Sequence, residues 1–409
     1  MAVKKGYKQT EVGVIPEDWE VKPLSDLTKE IGDGIHATPE YVNSSDCFFI
    51  NGNNLLDGKI VITENTMCVS DVEYRRLRKL LNTDTILMSI NGTIGNLAFY
   101  DNEKVVLGKS AAYINVNQEA SKNFLYYVFQ SFATRTYYEN ELTGTTIRNL
   151  SLTSIRNTPI SIPPTLAEQE SIAEALSDAD AFIESIERLL AKKRQIKQGA
   201  MSELLTGRRR LSGFGGEWEE RKLGDIVEFV NGKPLESMVS SSGDYFIITL
   251  DSIDIDGKLK PEHKRSSYFD NSLQKGDIVI ILSDLAHGYL LGLCDLIPED
   301  NRYILNQRVG RLRCNNEQVS QFIRMLINRN QDFFRKRGQG TSQRHIYKRD
   351  IFELNISLPQ KNEQSAIAEI LSEMDGEIAA LEEKLVKARQ VKAGMMGELL
   401  GGRIRLNHD

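Results

Sequence analysis

Residues Glu168–Leu211 (EQESIAEALSDADAFIESIERLLAKKRQIKQGAMSELLTGRRRL) and Glu363–Leu406 (EQSAIAEILSEMDGEIAALEEKLVKARQVKAGMMGELLGGRIRL) match at a constant offset of 195, without a gap, with 24 of 44 positions identical. An internal repeat of this quality decides the architecture before any local propensity is weighed. Both copies are helical by period. Apolar or small residues fall at Ile172, Leu176, Ala179, Ile183, Ile186 and Leu190, and again at Ile367, Leu371, Met374, Ile378, Leu381, Leu385 and Ala388. Steps of four and three alternate, which is a heptad seam. Pro164 and Pro359 precede the helices, where a missing N–H does no harm. Gly207 and Gly402 stand where a C-terminal cap belongs, each followed by an arginine whose charge suits that end of the helix dipole. A helix of this length, about 60 Å at 1.5 Å per residue, needs a partner for its seam, and the other copy is the nearest one.

The repeat continues outward in fragments. Trp19-Glu20 with Leu24–Leu27 echoes Trp218-Glu219 with Leu223–Ile226, Asp57–Ile60 echoes Asp256–Leu259, Gly144–Arg148 echoes Gly340–Arg344, and Ile160–Pro163 echoes Ile356–Pro359. The chain therefore reads globule, helix, globule, helix. The expected segments are 1–163, a first globule; 164–208, a first spacer helix; 209–357, a second globule; and 358–409, a second spacer helix with a tail. Within the globules, Asp84–Ile90 and Asp277–Leu282 have the apolar, β-branched character of strands. Asn91-Gly92 signals a tight turn. Lys122–Tyr138 and Ser320–Lys336 have helical periodicity. Trp19 and Trp218 are expected as core anchors.

With 40% hydrophobic and 26% charged residues, the composition is that of an ordinary globular protein. No run of 18 apolar residues suggests a membrane span, the first residues do not look like a secretory signal, and Cys47, Cys68, Cys294 and Cys314 are too scattered for a zinc knuckle; a cytoplasmic chain with free thiols is expected. The net charge of −6 is unfavourable for nucleic acid, but charge is local: Gln321–Arg349 holds eight Lys/Arg against one acid, Asp332, and Arg75, Arg76, Arg78 and Lys79 form a smaller cluster. Either cluster also fits a merely solvated face.

Catalytic constellations are missing. Gly108-Lys109-Ser110 resembles the end of a phosphate loop, but Glu103 stands where its first glycine belongs. Pro163-Pro164 follows Ile162 and so is not an Asn-Pro-Pro-aromatic methylase motif, and no two histidines have a metal-binding spacing. No catalytic residue, metal or cofactor is expected.

Taken in order, Gly13–Pro16 with Trp19; Asp33-Gly34, His36 and Thr38-Pro39; Asp84–Leu87 with Gly92–Gly95; and Pro163-Pro164 through Ala167–Gln169 into Leu204–Gly207 resemble the specificity (S) subunits of type I restriction–modification systems. The resemblance covers essentially the whole chain. The second globule departs from it, with Asn231-Gly232-Lys233-Pro234 in place of the Asp-Gly-x-His-x-Thr-Pro loop. The resemblance implies a non-catalytic DNA-recognition subunit. Each globule would read one half of a bipartite double-stranded DNA target. The helices would set the spacing and hold two methyltransferase (modification) subunits, on which ATP-dependent restriction (translocase/nuclease) subunits dock. Duplex DNA has local dyads, so two readers related by a pseudo-two-fold enter the groove in equivalent ways. That favours antiparallel helices. The expected fold class is therefore α+β: two homologous, strand-rich mixed domains separated by two long helices in an antiparallel coiled coil. Ile172, Leu176, Ile183, Ile186 and Leu190 of one helix and Ile367, Leu371, Ile378, Leu381 and Leu385 of the other would form the seam of the pair. The competing reading is a coiled-coil scaffold or adaptor without DNA specificity, which accounts for the helices but not for two divergent copies of one globule.

Polar loops that combine glycine with a cation suit phosphate and base-edge contacts. The DNA-binding candidates are Thr145, Thr146, Arg148 and Asn149 in the first globule and Thr341, Ser342, Arg344 and His345 in the second. His36 and Lys109, and Gln307 and Arg308, are further candidates. A solvated turn explains the first eight equally well, and a structural hydrogen bond explains His36.

Overall fold

Two short runs, Thr85–Ser89 and Ile278–Ile281, are apolar on both faces, so each must be covered from both sides. In the computed structural model, which describes residues 4–144, 148–285 and 287–406, both are central strands. Period-two alternation divides their side chains. Ile86 and Met88 enter one core cluster and Leu87 another. Ile278 and Ile280 likewise part from Val279 and Ile281. The chain divides into two units, residues 1–187 with 383–409 and residues 188–382.

In the first unit an antiparallel sheet has the order Leu97–Phe99, Thr85–Ser89, Ala111–Val116, Thr28–Asp33. A second sheet runs Val105–Leu107, Phe48–Ile50, Cys68–Val69, Tyr41–Val42, and its first pair is parallel. Glu20–Pro23 pairs antiparallel with Pro159–Ile162, tying the start of the globule to its end. The second unit repeats the scheme. One sheet is Val227–Asn231, Val309–Cys314, Ile278–Ile281, Cys294–Leu296. The other is Val239–Ser240, Lys264–Ser266, Tyr245–Ile248, Tyr303–Leu305, again with one parallel pair, and Glu219–Lys222 closes against Asn355–Leu358.

Each of the two segments expected as one helix is a pair. Ser131 separates Lys122–Gln130 from Phe132–Glu141, and Asn330 separates Ser320–Arg329 from Gln331–Arg337. Ser131 is extended, and its Oγ accepts the N–H of Thr134, so it caps the second helix instead of continuing the first. Continuous apolar periodicity did not reveal this local competition.

The duplicated segments form helices Leu166–Leu204 and Lys361–Leu400. Gly207 and Gly402 adopt φ of 68° and 64°, the left-handed cap the sequence suggested. The helices are antiparallel. In the first unit Asp180 pairs with Lys392, and Glu187 with Arg389 at 2.6 Å. In the second, Lys193 pairs with Glu377 and Arg194 with Glu382, both at 2.6 Å. Of the seam residues, Ile172 and Leu176 are fully buried in the first globule's core, and Ile367 and Leu371 in the second's. Ile186, Leu190, Ile378 and Leu385 are also buried, whereas Ile183 and Leu381 are half-covered.

Each globule is closed by the far end of the other repeat's helix. Leu399 and Leu400 belong to the first globule's core, and Leu204 and Leu205 to the second's. Past the glycine cap, Arg405 forks onto Glu168 and Asp18 at 2.8 and 2.9 Å. Its counterpart Arg210 forks onto Glu363 at 2.6 Å and donates to the carbonyls of Gly215 and Gly216. Glu168 and Glu363 are almost completely buried, so these guanidinium groups neutralise charges that water cannot reach. The neighbouring glutamines repeat the symmetry. Gln169 Oε1 accepts the N–H of Ser121 at 2.8 Å while its Nε2 donates to the Pro163 carbonyl. Gln364 does the same with Val319 at 3.0 Å and Pro359. The Glu-Gln pair at the head of each repeat is thus a globule-to-helix clamp.

Candidate nucleic-acid interface

Loops at one edge of each globule are drawn together by a glycine that cannot be replaced. A Cβ on Gly34 would lie 2.1 Å from the Leu107 carbonyl oxygen, and one on Gly232 would lie 1.9 Å from that of Asn306. These close approaches accompany matching bridges, Ile35 with Gly108 and Lys233 with Asn306. The Asn231-Gly232 pair therefore keeps the backbone role of Asp33-Gly34 although the side chains beyond it differ.

In the first globule this join brings four loops to one edge. The Asn91 side chain donates to the Lys109 carbonyl at 3.2 Å, and Gly92 N–H donates to the Arg148 carbonyl at 3.2 Å. Asn149 bridges to both Asn91 and Thr143. Lys109 and Arg148 are exposed, and Asn149 is half-buried. Among the described residues Arg148 meets Glu139 at a loose 3.9 Å, with both side chains largely in solvent. Thr145 and Thr146 lie outside the described residues. His36 is exposed, with Nε2 2.8 Å from Asp33 Oδ2. Its loop and the Asp71–Leu77 helix line a cleft of about 490 Å³ that also takes in Arg76 and Lys79. Arg76 is engaged by Glu73, and Arg75 by Asp71 at 2.8 Å, so much of that basic cluster is internally paired.

In the second globule Ser283–Leu285 pairs antiparallel with Gln343–His345. His345 Nδ1 lies 2.7 Å from Ser283 Oγ, so His345 is anchored rather than free. Arg344 donates through Nε and Nη2 to the Gly338 carbonyl, the shorter contact being 2.8 Å. One edge of the guanidinium is held, and the Nη1–Nη2 end remains for a bidentate contact. Thr341 and Ser342 are exposed. Gln307 is held by Glu236. Arg308 is exposed at φ 69°, a left-handed conformation unusual for a side-chain-bearing residue, with its carbonyl accepting the N–H of Leu282. Lys233, exposed on the glycine-joined loop, was not among the candidates from sequence. The signal that could have found it was the alignment of Gly232 with Gly34.

Among the described residues no helix is long and apolar enough to cross a membrane.

The family model described as type I restriction modification DNA specificity domain matches twice, over residues 16–197 and 215–388. The MjaVIII type I restriction enzyme specificity subunit of Methanocaldococcus jannaschii is 25% identical over 99% of this chain and 97% of its own length. The putative MjaX specificity subunit of the same organism is 24% identical over 98% and 97%. Among solved structures, a type I restriction–modification S subunit from M. genitalium shares the fold with a TM-score of 0.61 and 16% identity, covering 100% of this chain and 99% of that one. A chain from a type I R-M system solved for its complex assembly and conformational transition gives 0.57 and 16%, over 95% and 99%.

Proposed function

Because the chain belongs to the type I restriction modification DNA specificity family and holds two copies of its domain, we propose that it is the non-catalytic subunit that gives such a complex its DNA target. Segments 1–163 and 209–357 are the target-recognition domains, each reading one half of a gapped, asymmetric duplex sequence. Segments 164–208 and 358–409 set the spacing and hold two methyltransferase subunits, with ATP-dependent restriction subunits docking on that core. The observation that carries this reading is the contrast within the repeat. Strand order, closing strands and helix clamps recur in both units, whereas the loops at the glycine-joined edge carry different side chains. A conserved frame with divergent edges is what two readers of two different half-sites require. Arg148 and Lys109 suit phosphate contacts, and Arg344, oriented by the Gly338 carbonyl, suits a base edge. His36, Asn149, Thr341, Ser342, His345, Gln307 and Arg308 complete the two proposed edges.

The test is a domain exchange. The chain is co-expressed with methyltransferase subunits and the methylated adenines are mapped. Lys222–Leu354 is then replaced by the matching segment of a relative. One half of the target should change and the other stay. A change in both halves, or none, refutes the two-reader assignment.

A further inference from the structure

The segment that carries Arg344 lies between two helices whose charge is inverted between the repeats. In the first globule Thr143 and Asn149 exchange backbone hydrogen bonds at 3.0 and 2.9 Å, and in the second Gln339 and His345 do so at 2.9 and 2.8 Å. Counted back from that bridge, Arg335-Lys336-Arg337 stands where the first globule has Glu139-Asn140-Glu141. Counted forward, Lys348-Arg349 stands where it has Leu152-Thr153. The places in the fold are the same. The first set ends a helix, Phe132–Glu141 or Gln331–Arg337, and the second begins one, Leu152–Arg156 or Lys348–Phe352. A shared frame has exchanged carboxylates for cations.

In the second globule the bridge closes a hairpin, Gln339–His345. Gly340 turns the chain at φ 109°, and a Cβ there would lie 2.1 Å from the Gln343 carbonyl oxygen. The returning strand, Gln343–His345, also pairs with Ser283–Leu285. Arg344 donates to the carbonyl of Gly338, which caps the preceding helix, so its guanidinium sits at the negative end of that helix. Thr341 and Ser342 stay exposed at the tip. Several nearby cations are engaged within the domain. Arg335 meets Asp332 at 3.6 Å, Arg337 lies 3.7 Å over the Phe333 ring, and the Lys348 ammonium lies 4.9 Å over that of Phe352. The acids are engaged as well, Asp350 with the N–H of Tyr347 at 2.8 Å and Glu353 with Arg337 at 4.0 Å. Lys336 and Arg349 are exposed, and among the described residues neither has an ion-pair partner.

A two-stranded ribbon fits the major groove of B-DNA, about 12 Å wide, and not the minor groove, about 6 Å wide. Cations at the base of such a ribbon meet the phosphates that border the groove and fix its register without reading sequence. We propose that the hairpin Gln339–His345 enters the major groove of the second globule's half-site, and that Lys336 and Arg349, where the chain enters and leaves the hairpin, each hold a phosphate beside it. This rests on the second globule being a DNA reader. It adds to that reading the groove, the element that enters it and two phosphate contacts. The grip belongs to the edge of the second globule and not to the shared frame, because the first globule places Asn140 and Thr153 at the same positions.

The experiment uses the full chain assembled with its methyltransferase subunits and duplexes carrying the mapped target, with binding measured across salt concentrations. Single purines of the half-site that changes on exchange of Lys222–Leu354 are replaced by 7-deazapurines, which lack the major-groove N7 acceptor, or by 3-deazapurines, which lack the minor-groove N3. At one purine or more the 7-deaza analogue should weaken binding on the order of tenfold, while the 3-deaza analogue leaves it unchanged. Lys336→Ala and Arg349→Ala should each lower the salt slope by about one and leave the preferred bases as they were. Lys336→Arg and Arg349→Lys, which keep the charge, should retain the slope. Both side chains are exposed, so an unchanged melting temperature is expected, and the modified duplexes leave the protein untouched. Indifference to every 7-deazapurine of that half-site, equal sensitivity to the 3-deazapurines, or an unchanged slope in either alanine variant overturns the proposal and leaves the two-reader assignment intact. An assembly without any sequence-dependent binding overturns both.

Discussion

The two globules share strand order, the single parallel pair, the closing strands and the helix clamp, yet they differ at the turn after the central strand. In the first, Asn91–Gly95 is glycine-rich and its apolar residue packs inward. In the second, the strand Ser283–Leu285 ends with Leu285 exposed to solvent. The cations differ too. Among the described residues Arg148 meets Glu139 at a loose 3.9 Å, whereas Arg344 is held by a carbonyl at 2.8 Å. The lesson is that the frame and the edge answer to different demands. Residues that close a core or neutralise a buried carboxylate are bound to a partner inside the molecule and recur in both repeats. Residues at the edge have partners private to one copy, as Arg344 with Gly338, His345 with Ser283 and Gln307 with Glu236, and there the copies have diverged.

The largest effect should come from the way each frame is closed. Ending the chain after Glu382 removes 383–409, which belong to the first unit, and leaves every residue of the second. Loss of the buried Leu399 and Leu400 alone costs on the order of 5 kcal/mol, comparable to the whole stability of a domain. Hydrogen exchange should show the first globule unprotected and the second retained. Equal protection in both would mean that the C-terminal segment is not part of the first core.

The clamp arginines come next. Arg210→Ala leaves Glu363 buried without its cation, and Arg405→Ala does the same to Glu168. Each should destabilise its own unit, read as local loss of exchange protection. An effect that spreads equally over both units would break the picture of two separately closed frames.

At the edges the effects are smaller and fall on binding. Arg344→Ala should cost roughly 1–3 kcal/mol and relax specificity at one position of one half-site. Arg148→Ala should weaken binding to all sequences and reduce the salt slope by about one. Methylation rates measured across salt concentrations and target variants separate the two. Wild-type behaviour in both variants would return these residues to the solvent.

The smallest effect concerns an asymmetry in the clamps. Arg405 holds the carboxylate of Asp18 as well as Glu168, whereas Arg210 completes its shell with two backbone carbonyls. The hydrogen bond from Arg405 lowers the Asp18 pKa below its ordinary 3.8. A depressed carboxylate contributes stability above the unfolded-state pKa and loses it as pH falls through the folded-state value. Asp18→Asn should therefore destabilise the first unit by about 0.5 kcal/mol at pH 7, a modest amount because the pair is partly in solvent. Wild type and variant should converge as the pH falls through the lowered pKa of Asp18. A difference that persists in acid would assign the effect to packing.

Much of this molecule is local, and locality is what a sequence displays. The duplicated helices and their glycine caps follow from spacing along one chain. So do the doubly buried strands, because an apolar run too short for a helix must be covered on both faces. The break at Ser131 escaped notice because its apolar period runs on, while one side-chain hydrogen bond decides that a new helix begins. Other features were decided only by bringing distant segments together. Nothing near Glu168 announces that Arg405 will neutralise it, and nothing near Gly232 announces the carbonyl of Asn306. These partners are chosen by the antiparallel return of the second helix and by the pairing of strands far apart in the chain. The shared glycine, the restrained Arg344 and the exposed Leu285 belong to that second kind, because burial and orientation are properties of the assembled core.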